Sequence, residues 1–169
     1  GDSLRRFNEF YVNFYSNHHI LIGNEEDFQL ALGMKGPEAG GKDLEKKIGQ
    51  FKDMIAQVRA SYPQASVFAT TLREVVSANE HNWGALVLVG DTWYVEEPRP
   101  IQVMDRIGGG DGFVGGLLYA ILAGKPQEDW IKMGWATGVL ATTVLTDYST
   151  PADEEQIWSV YSGNARVKR

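Results

Sequence analysis

Apolar positions recur along this chain first at helical spacing, then as short unbroken runs, and then at helical spacing again. Over residues 4–15, Leu4, Phe7, Phe10, Tyr11 and Phe14 fall three or four apart, which predicts one buried helix face. HILIGN (19–24) predicts a short buried strand ending at Gly23 and Asn24, and EEDFQLALG (25–33) returns to helical spacing until Gly33 stops it. The glycines and proline of MKGPEAGGK (34–42) mark a loop. Over 43–62, Leu44, Ile48, Phe51, Ile55 and Val58 recur among lysines, glutamates and glutamines, the pattern of an amphipathic surface helix, and KDLEKK with Lys52 reads as its solvated face.

The β-branched and aromatic residues of ASVFATTLR (65–73) predict a buried strand. Residues 73–105 hold three further short strand candidates, with turns at 79–82 and at Gly90 and Asp91. Three helices follow, over 113–123, 127–145 and 152–161. Pro126 and Pro151 suit first-turn positions in the last two, and Thr150 with Asp153 resembles an N-terminal cap. The middle helix carries Trp130, Met133, Trp135, Val139, Leu140 and Val144, so it is expected to be largely buried. Trp83 and Trp93 are expected to pack in hairpins, and the adjacent His18 and His19 to lie at the surface. The order of elements predicts a layered α/β fold, read as one domain over residues 1–169.

Composition narrows the function classes. With 169 residues, 43% of them hydrophobic, the chain can bury a real core. It has no cysteine, which excludes disulfides and thiolate metal sites. A formal charge of −6 argues against a surface built to grip nucleic acid, while leaving room for a local anion site. GDSLRRFNEF lacks the apolar centre of a signal peptide, and no apolar run approaches the roughly 18 residues needed to span a bilayer. Those observations make no membrane partner and a cytoplasmic location the expectation.

The chemistry concentrates in DRIGGGDGFVGGLLYAILAGK (105–125). Successive glycines admit a ligand to the backbone, and a helix starting near Asp111 aims free N–H groups and its positive end at the same place. Such a site favours an anion, so the carboxylate inside it needs a reason. Two readings stand: Asp111 caps the helix after a flexible turn, or it is a base taking a proton from an attacking hydroxyl while the glycine amides steady the transferred group. Gly110, Gly112 and Gly115 also satisfy the dinucleotide pattern G-x-G-x-x-G. The segment after that helix is a second helix, PQEDWIKM, where the dinucleotide unit needs a strand, which excludes that fingerprint.

DRIGGGDGF resembles the second signature of the ribokinase-like, or PfkB, sugar kinases. IGNEEDF resembles the family's Asn-x-x-Glu motif with Asp27 in place of Glu, and TTLREVVSANEHNWGA and GNARVKR resemble the branch acting on 2-keto-3-deoxygluconate. The resemblance runs from about Ile20 to Arg169 and implies the C-terminal part of a three-layer α/β/α fold, without the lid and the N-terminal strands. It implies transfer of the γ-phosphoryl of MgATP to a hydroxyl of a small sugar or sugar acid. Asp111 would be the base; the amides of Gly108, Gly109, Gly110 and Asp111 the anion hole; Asn24 and Asp27 the holders of Mg²⁺ through water. Thr71 matches a nucleotide-phosphate contact, and Gly138, Thr142 and Asp147 the wall beside adenine. Gly109, Gly112 and Arg106 depart from the commoner residues of the family. A non-catalytic nucleotide-binding fragment, a kinase for fructose, ribose or a nucleoside, and self-association into a homo-oligomer remain open at this stage.

Overall fold

The short apolar run Ile20–Ile22 forms β1, which pairs in parallel with β2 (Val67–Val75) in the register Ile20↔Val67, Leu21↔Phe68 and Ile22↔Ala69. Parallel neighbours require a crossover, and the chain between them supplies α1 (Leu44–Ser61). The computed structural model describes residues 19–24, 27–34, 44–146 and 149–163. The helix expected over 4–15, His18, and all but Met34 of the loop expected over 34–42 lie outside those residues. The described chain divides into two compact units, one holding residues up to Leu72 with Leu86–Trp93, the other Arg73–Ala85 and the residues from Tyr94 onward.

In the first unit, α1 buries Phe51, Met54, Ile55 and Val58, three or four apart as the pattern requires. Lys47 corrects the solvated-face reading of KDLEKK, because it stands four residues before Phe51 on the inward face and is only 5% exposed. The helical spacing after Gly23 resolves as a single π-helical turn, Asp27–Ala31. The chain leaves that turn through Gly33 at φ +66°, with Met34 N donating to Phe28 O at 3.3 Å. Arg59 pairs with Asp91 at 2.7 Å, and the Lys52 ammonium lies 5.4 Å from the half-buried Trp93 ring. His19 is exposed, as expected.

The sheet order is β1-β2-β3-β4, with β3 spanning Glu80–Val89 and β4 Thr92–Gln102. Two long strands therefore replace the three short ones expected over 73–105. The polar run 79–82 misled the turn assignment: the turn is 76–79, closed by Val76 N and Ser77 N on Glu80 O at 3.0 Å. Residues 80–82 already alternate within β3, where His81 and Trp83 turn inward and Asn82 Nδ2 donates to Glu74 Oε2 at 2.9 Å. β4 contains Pro98 and Pro100, which its place at the end of the order of described strands tolerates.

The second unit adds α2 (Gly109–Leu122), α3 (Gln127–Ala141) and α4 (Glu154–Tyr161), with α2 packed on α3 and α3 on α4. α2 begins four residues before the expected 113, so the glycine run is helix rather than loop. α3 stops at Ala141 instead of 145, where Thr142 and Thr143 turn their hydroxyls back onto the carbonyls of Val139 and Leu140, each at 2.7 Å. Pro126 is the N-cap of α3. Asp153, not Thr150, caps α4 by accepting from Gln156 N at 2.8 Å. Trp83, Ile101, Val103, Met133, Trp135, Val139 and Ile157 belong to one buried cluster, as the sequence anticipates for the two tryptophans. Trp135 Nε1 donates to Trp83 O at 2.8 Å, and Arg99 stacks on Trp135 at 3.8 Å from the ring centre. Among the described residues no helix is long and apolar enough to cross a membrane.

Candidate functional site

The amino end of α2 is set by the segment before it. Met104 N and Asp105 N both donate to Thr142 O, at 2.8 and 3.2 Å, and Asp105 Oδ1 accepts from Ile107 N at 3.0 Å. Gly108 then takes φ +83°, the left-handed conformation that a side chain would resist, and serves as the N-cap. The first helical bond runs from Gly112 N to Gly108 O at 2.7 Å. The N–H groups of Gly109, Gly110 and Asp111 therefore precede any intrahelical acceptor, and no side chain among the described residues caps them.

The glycines of this turn have different tasks. A Cβ on Gly109 would come within 2.7 Å of Trp83 Cη2 and 3.0 Å of Thr142 Cγ2, so that glycine exists for packing. Gly112 and Gly116 serve the contact with α3: a Cβ on Gly112 would meet Thr137 O at 2.7 Å, and one on Gly116 would overlap Thr137 Oγ1. Thr137 Oγ1 sits between the helices, 2.7 Å from Gly112 O and 2.8 Å from Met133 O. Gly110 and Gly115 face open space. Of the three successive glycines, Gly110 is the one whose missing side chain leaves the helix end accessible.

Asp111 stands in the first turn of α2, exposed, and takes part in no hydrogen bond or ion pair among the described residues. Gly108 occupies the cap position, so helix capping does not account for this carboxylate. It lines a cavity of about 370 Å³ together with Gly115, Tyr119, Ser149 and Glu154. At that cavity Lys125 Nζ binds both carboxylate oxygens of Glu154, at 2.7 and 2.8 Å, and Tyr119 Oη donates to Glu154 at 3.2 Å. The Lys125 hydrogen bond holds Glu154 below the usual carboxylate range, and the same bond raises Lys125 above its own. Nothing in the sequence joins Lys125 to Glu154, which are brought together only by the packing of α2, α3 and α4.

Gly138 and Thr142 are buried in this helix packing. Gly138 lies against Gly109 O and Phe113, and Thr142 holds residues 104 and 105 through its carbonyl. Asp147 lies outside the described residues. In the first unit, Asn24 and Asp27 form a reciprocal pair: Asn24 N donates to Asp27 Oδ2 at 2.8 Å, and Asp27 N to Asn24 Oδ1 at 3.0 Å. This box fixes both side chains at the carboxyl end of β1. Their oxygen donors suit a hard cation such as Mg²⁺ that keeps most of its waters. Among the described residues no group of three or more His, Asp or Glu could hold a metal by itself. Thr71, in β2, is half-buried.

A family model described as pfkB family carbohydrate kinase matches residues 3–153. The 2-dehydro-3-deoxygalactonokinase of Haloferax volcanii is 33% identical over 96 residues, covering 57% of this chain and 30% of that protein. The cytidine kinase of Thermococcus kodakarensis is 28% identical over 151 residues, 75% of this chain and 54% of its own length. The crystal structure of 2-dehydro-3-deoxygluconokinase from Thermotoga maritima superposes with a TM-score of 0.80 at 25% identity, covering 95% of this chain and 46% of that one. The chain thus spans about half, or less, of the length of these relatives.

Proposed function

The chain belongs to the pfkB family of carbohydrate kinases, and from that membership we propose that it carries phosphoryl transfer from ATP to a hydroxyl of a small sugar acid of the 2-keto-3-deoxyaldonate class. The observation that carries this reading is Asp111, an unpartnered carboxylate beside three uncapped backbone N–H groups at a helix end. A carboxylate with no partner among the described residues, set where anions are favoured, is explained when a hydroxyl and a phosphoryl group must meet there.

In this mechanism Asp111 accepts the proton of the acceptor hydroxyl as that oxygen bonds to the γ-phosphorus and the bond to the ADP oxygen breaks. The N–H groups of Gly109, Gly110 and Asp111, with Gly108 setting their direction, donate to the transferring group. Mg²⁺, when bound, neutralises phosphate charge; Asn24 and Asp27 are the residues that would hold it through water. Thr71 is assigned to a nucleotide phosphate and Asp147 to the adenine side. Gly138 and Thr142, assigned to the same side, act through the backbone they hold in place. The class of acceptor is supported by the two deoxysugar-acid kinases among the relatives. The similarity to a cytidine kinase supports a second reading, a nucleoside acceptor.

The test is ATP consumption by the 169-residue chain with and without 2-keto-3-deoxygluconate, beside an Asp111→Asn variant of unchanged circular dichroism. Acceptor-dependent turnover that falls about 10²–10⁴-fold in the variant is expected. Equal turnover by the variant removes the base assignment, and stimulation by cytidine instead of the sugar acid selects the second acceptor.

A further inference from the structure

Preorganised donors need a fixed backbone, yet the N–H groups at the start of α2 sit in a pliable stretch: Gly108, Gly109 and Gly110 in succession, with no capping side chain among the described residues. What holds their direction has to come from packing. Gly109 is the buried member of the three. A Cβ on Gly109 would stand 2.7 Å from Trp83 Cη2, 3.2 Å from Trp83 Cζ3 and 3.0 Å from Thr142 Cγ2, and a Cβ on Gly138 would stand 2.9 Å from Gly109 O. Thr142 and Gly138 belong to α3 and its end, whereas Trp83 reaches the turn from β3.

The backbone that carries the indole is itself anchored. Trp83 O accepts from Trp135 Nε1 at 2.8 Å, the Arg99 guanidinium covers the Trp135 ring at 3.8 Å, and the Tyr161 ring packs at right angles to it with centroids 6.0 Å apart. The next residue, Gly84, lies so close to β4 that a Cβ there would stand 2.6 Å from Glu96 O. The Trp83 side chain is 3% exposed, and its buried Nε1 has no hydrogen-bond partner among the described residues. Packing, not a hydrogen bond, therefore orients the ring. A phenylalanine would avoid the unpaired donor, but Cη2 and Cζ3 lie on the outer edge of the indole, beyond the reach of the shorter phenyl ring.

We infer that Trp83 is a positioning residue: the outer edge of its indole braces Gly109 and so aims the N–H groups of Gly109, Gly110 and Asp111. The reaction it serves is the phosphoryl transfer proposed above, on which that part rests, while the brace itself rests on the contacts. Being buried, Trp83 acts through Gly109 and not on the substrate. Without the indole edge a void opens beside Gly109, and a run of glycines has the freedom to move into it. A displacement of about 1 Å at a reacting centre can cost about 10²-fold in rate, most of all for donors aimed at charge that develops in the transition state.

The experiment is a double-mutant cycle on the 169-residue chain with Trp83→Phe, Gly109→Ala and the two together. Trp83→Phe removes the edge that the methyl group of Gly109→Ala would strike, so each change offsets the other. The contact of that methyl group with Thr142 Cγ2 is common to both proteins carrying Gly109→Ala and cancels between them. Residual dipolar couplings of the Gly109, Gly110 and Asp111 N–H bonds, referred to the rest of α2, report the aim of the donors without any ligand. The couplings should depart from those of the parent in each single variant and return toward them in the double variant. In the ATP-consumption assay kcat should fall about tenfold or more in each single variant, by a larger factor than KM for ATP rises, and recover in the double variant. A merely structural role lowers Tm in the single variants and leaves the couplings unmoved, which overturns the proposal. Couplings in the double variant that depart as far as the two single changes combined also overturn it. Couplings that follow the cycle in a chain that neither binds nor consumes ATP uphold the brace and count against the phosphoryl-transfer reading instead. Should Trp83→Phe alone fail to fold, the couplings of Gly109→Ala against the double variant make the same comparison.

Discussion

Replacing Gly109 and Gly110 one at a time by alanine separates the packing role of the glycine turn from its ligand role. At Gly109 the new Cβ meets Trp83 Cη2 at 2.7 Å and Thr142 Cγ2 at 3.0 Å, and both side chains are almost fully buried. Overpacking of this kind costs about 1–3 kcal/mol, against a helix-propensity gain of at most about 1 kcal/mol, so a net loss of about 1–2 kcal/mol is expected. At Gly110 the Cβ enters open space, and alanine should be neutral or stabilising by up to about 1 kcal/mol. For a chain of this size 1 kcal/mol moves Tm by about 2–4 °C, which thermal unfolding resolves. Calorimetric titration with ATP supplies the second reading. Gly110→Ala should raise or preserve Tm while weakening ATP binding, because a helical Cβ leans toward the N-terminal end, where the uncapped N–H groups lie. Gly109→Ala should lower Tm by several degrees. A Gly110→Ala protein that binds ATP as tightly as the parent, or a Gly109→Ala protein that is more stable, refutes this division of tasks.

Two further outcomes follow from the same geometry. Gly108→Ala forces a side chain into φ +83° and should cost about 1–2 kcal/mol in urea unfolding; an unchanged midpoint would show that the turn relaxes. His81 has a folded-state pKa below its unfolded value of about 6.5, so the unfolded chain binds the proton first on acidification. Its contribution to stability is present above about pH 6.5 and is lost as pH falls below that value, and His81→Gln should flatten this part of the stability profile. A profile equally steep in the variant assigns the dependence to other groups.

Much of this architecture is legible in the sequence because periodicity reports burial. The inward face of α1 and the mostly buried α3 are read correctly from spacing, and β1 from an apolar run bounded by glycine. The misplacements have physical causes. Residues 79–82 look like a turn because they are polar, yet three of them lie in β3, where His81 is buried and Asn82 pairs across the strands with Glu74. The glycine run looks like a loop because glycine is a poor helix former, yet Gly109, Gly112 and Gly116 are the residues that let α2 approach Trp83 and α3. Lys47 looks solvated by charge but stands on the inward helix face. At the candidate site, motif spacing singles out Asp111 and the glycines. The Lys125–Glu154 pair and the Trp83 wall depend on contacts between distant segments, for which one sequence offers no pattern.

The most direct test of the helix-end site is calorimetric titration of the 169-residue chain with MgATP beside Asp111→Asn. The uncapped N–H groups bind the phosphates without the carboxylate, so ATP affinity in the variant should equal or exceed that of the parent, since a repelling charge is gone. No ATP binding by a folded parent chain, or binding abolished by Asp111→Asn, would contradict the assignment of this helix end to phosphoryl transfer.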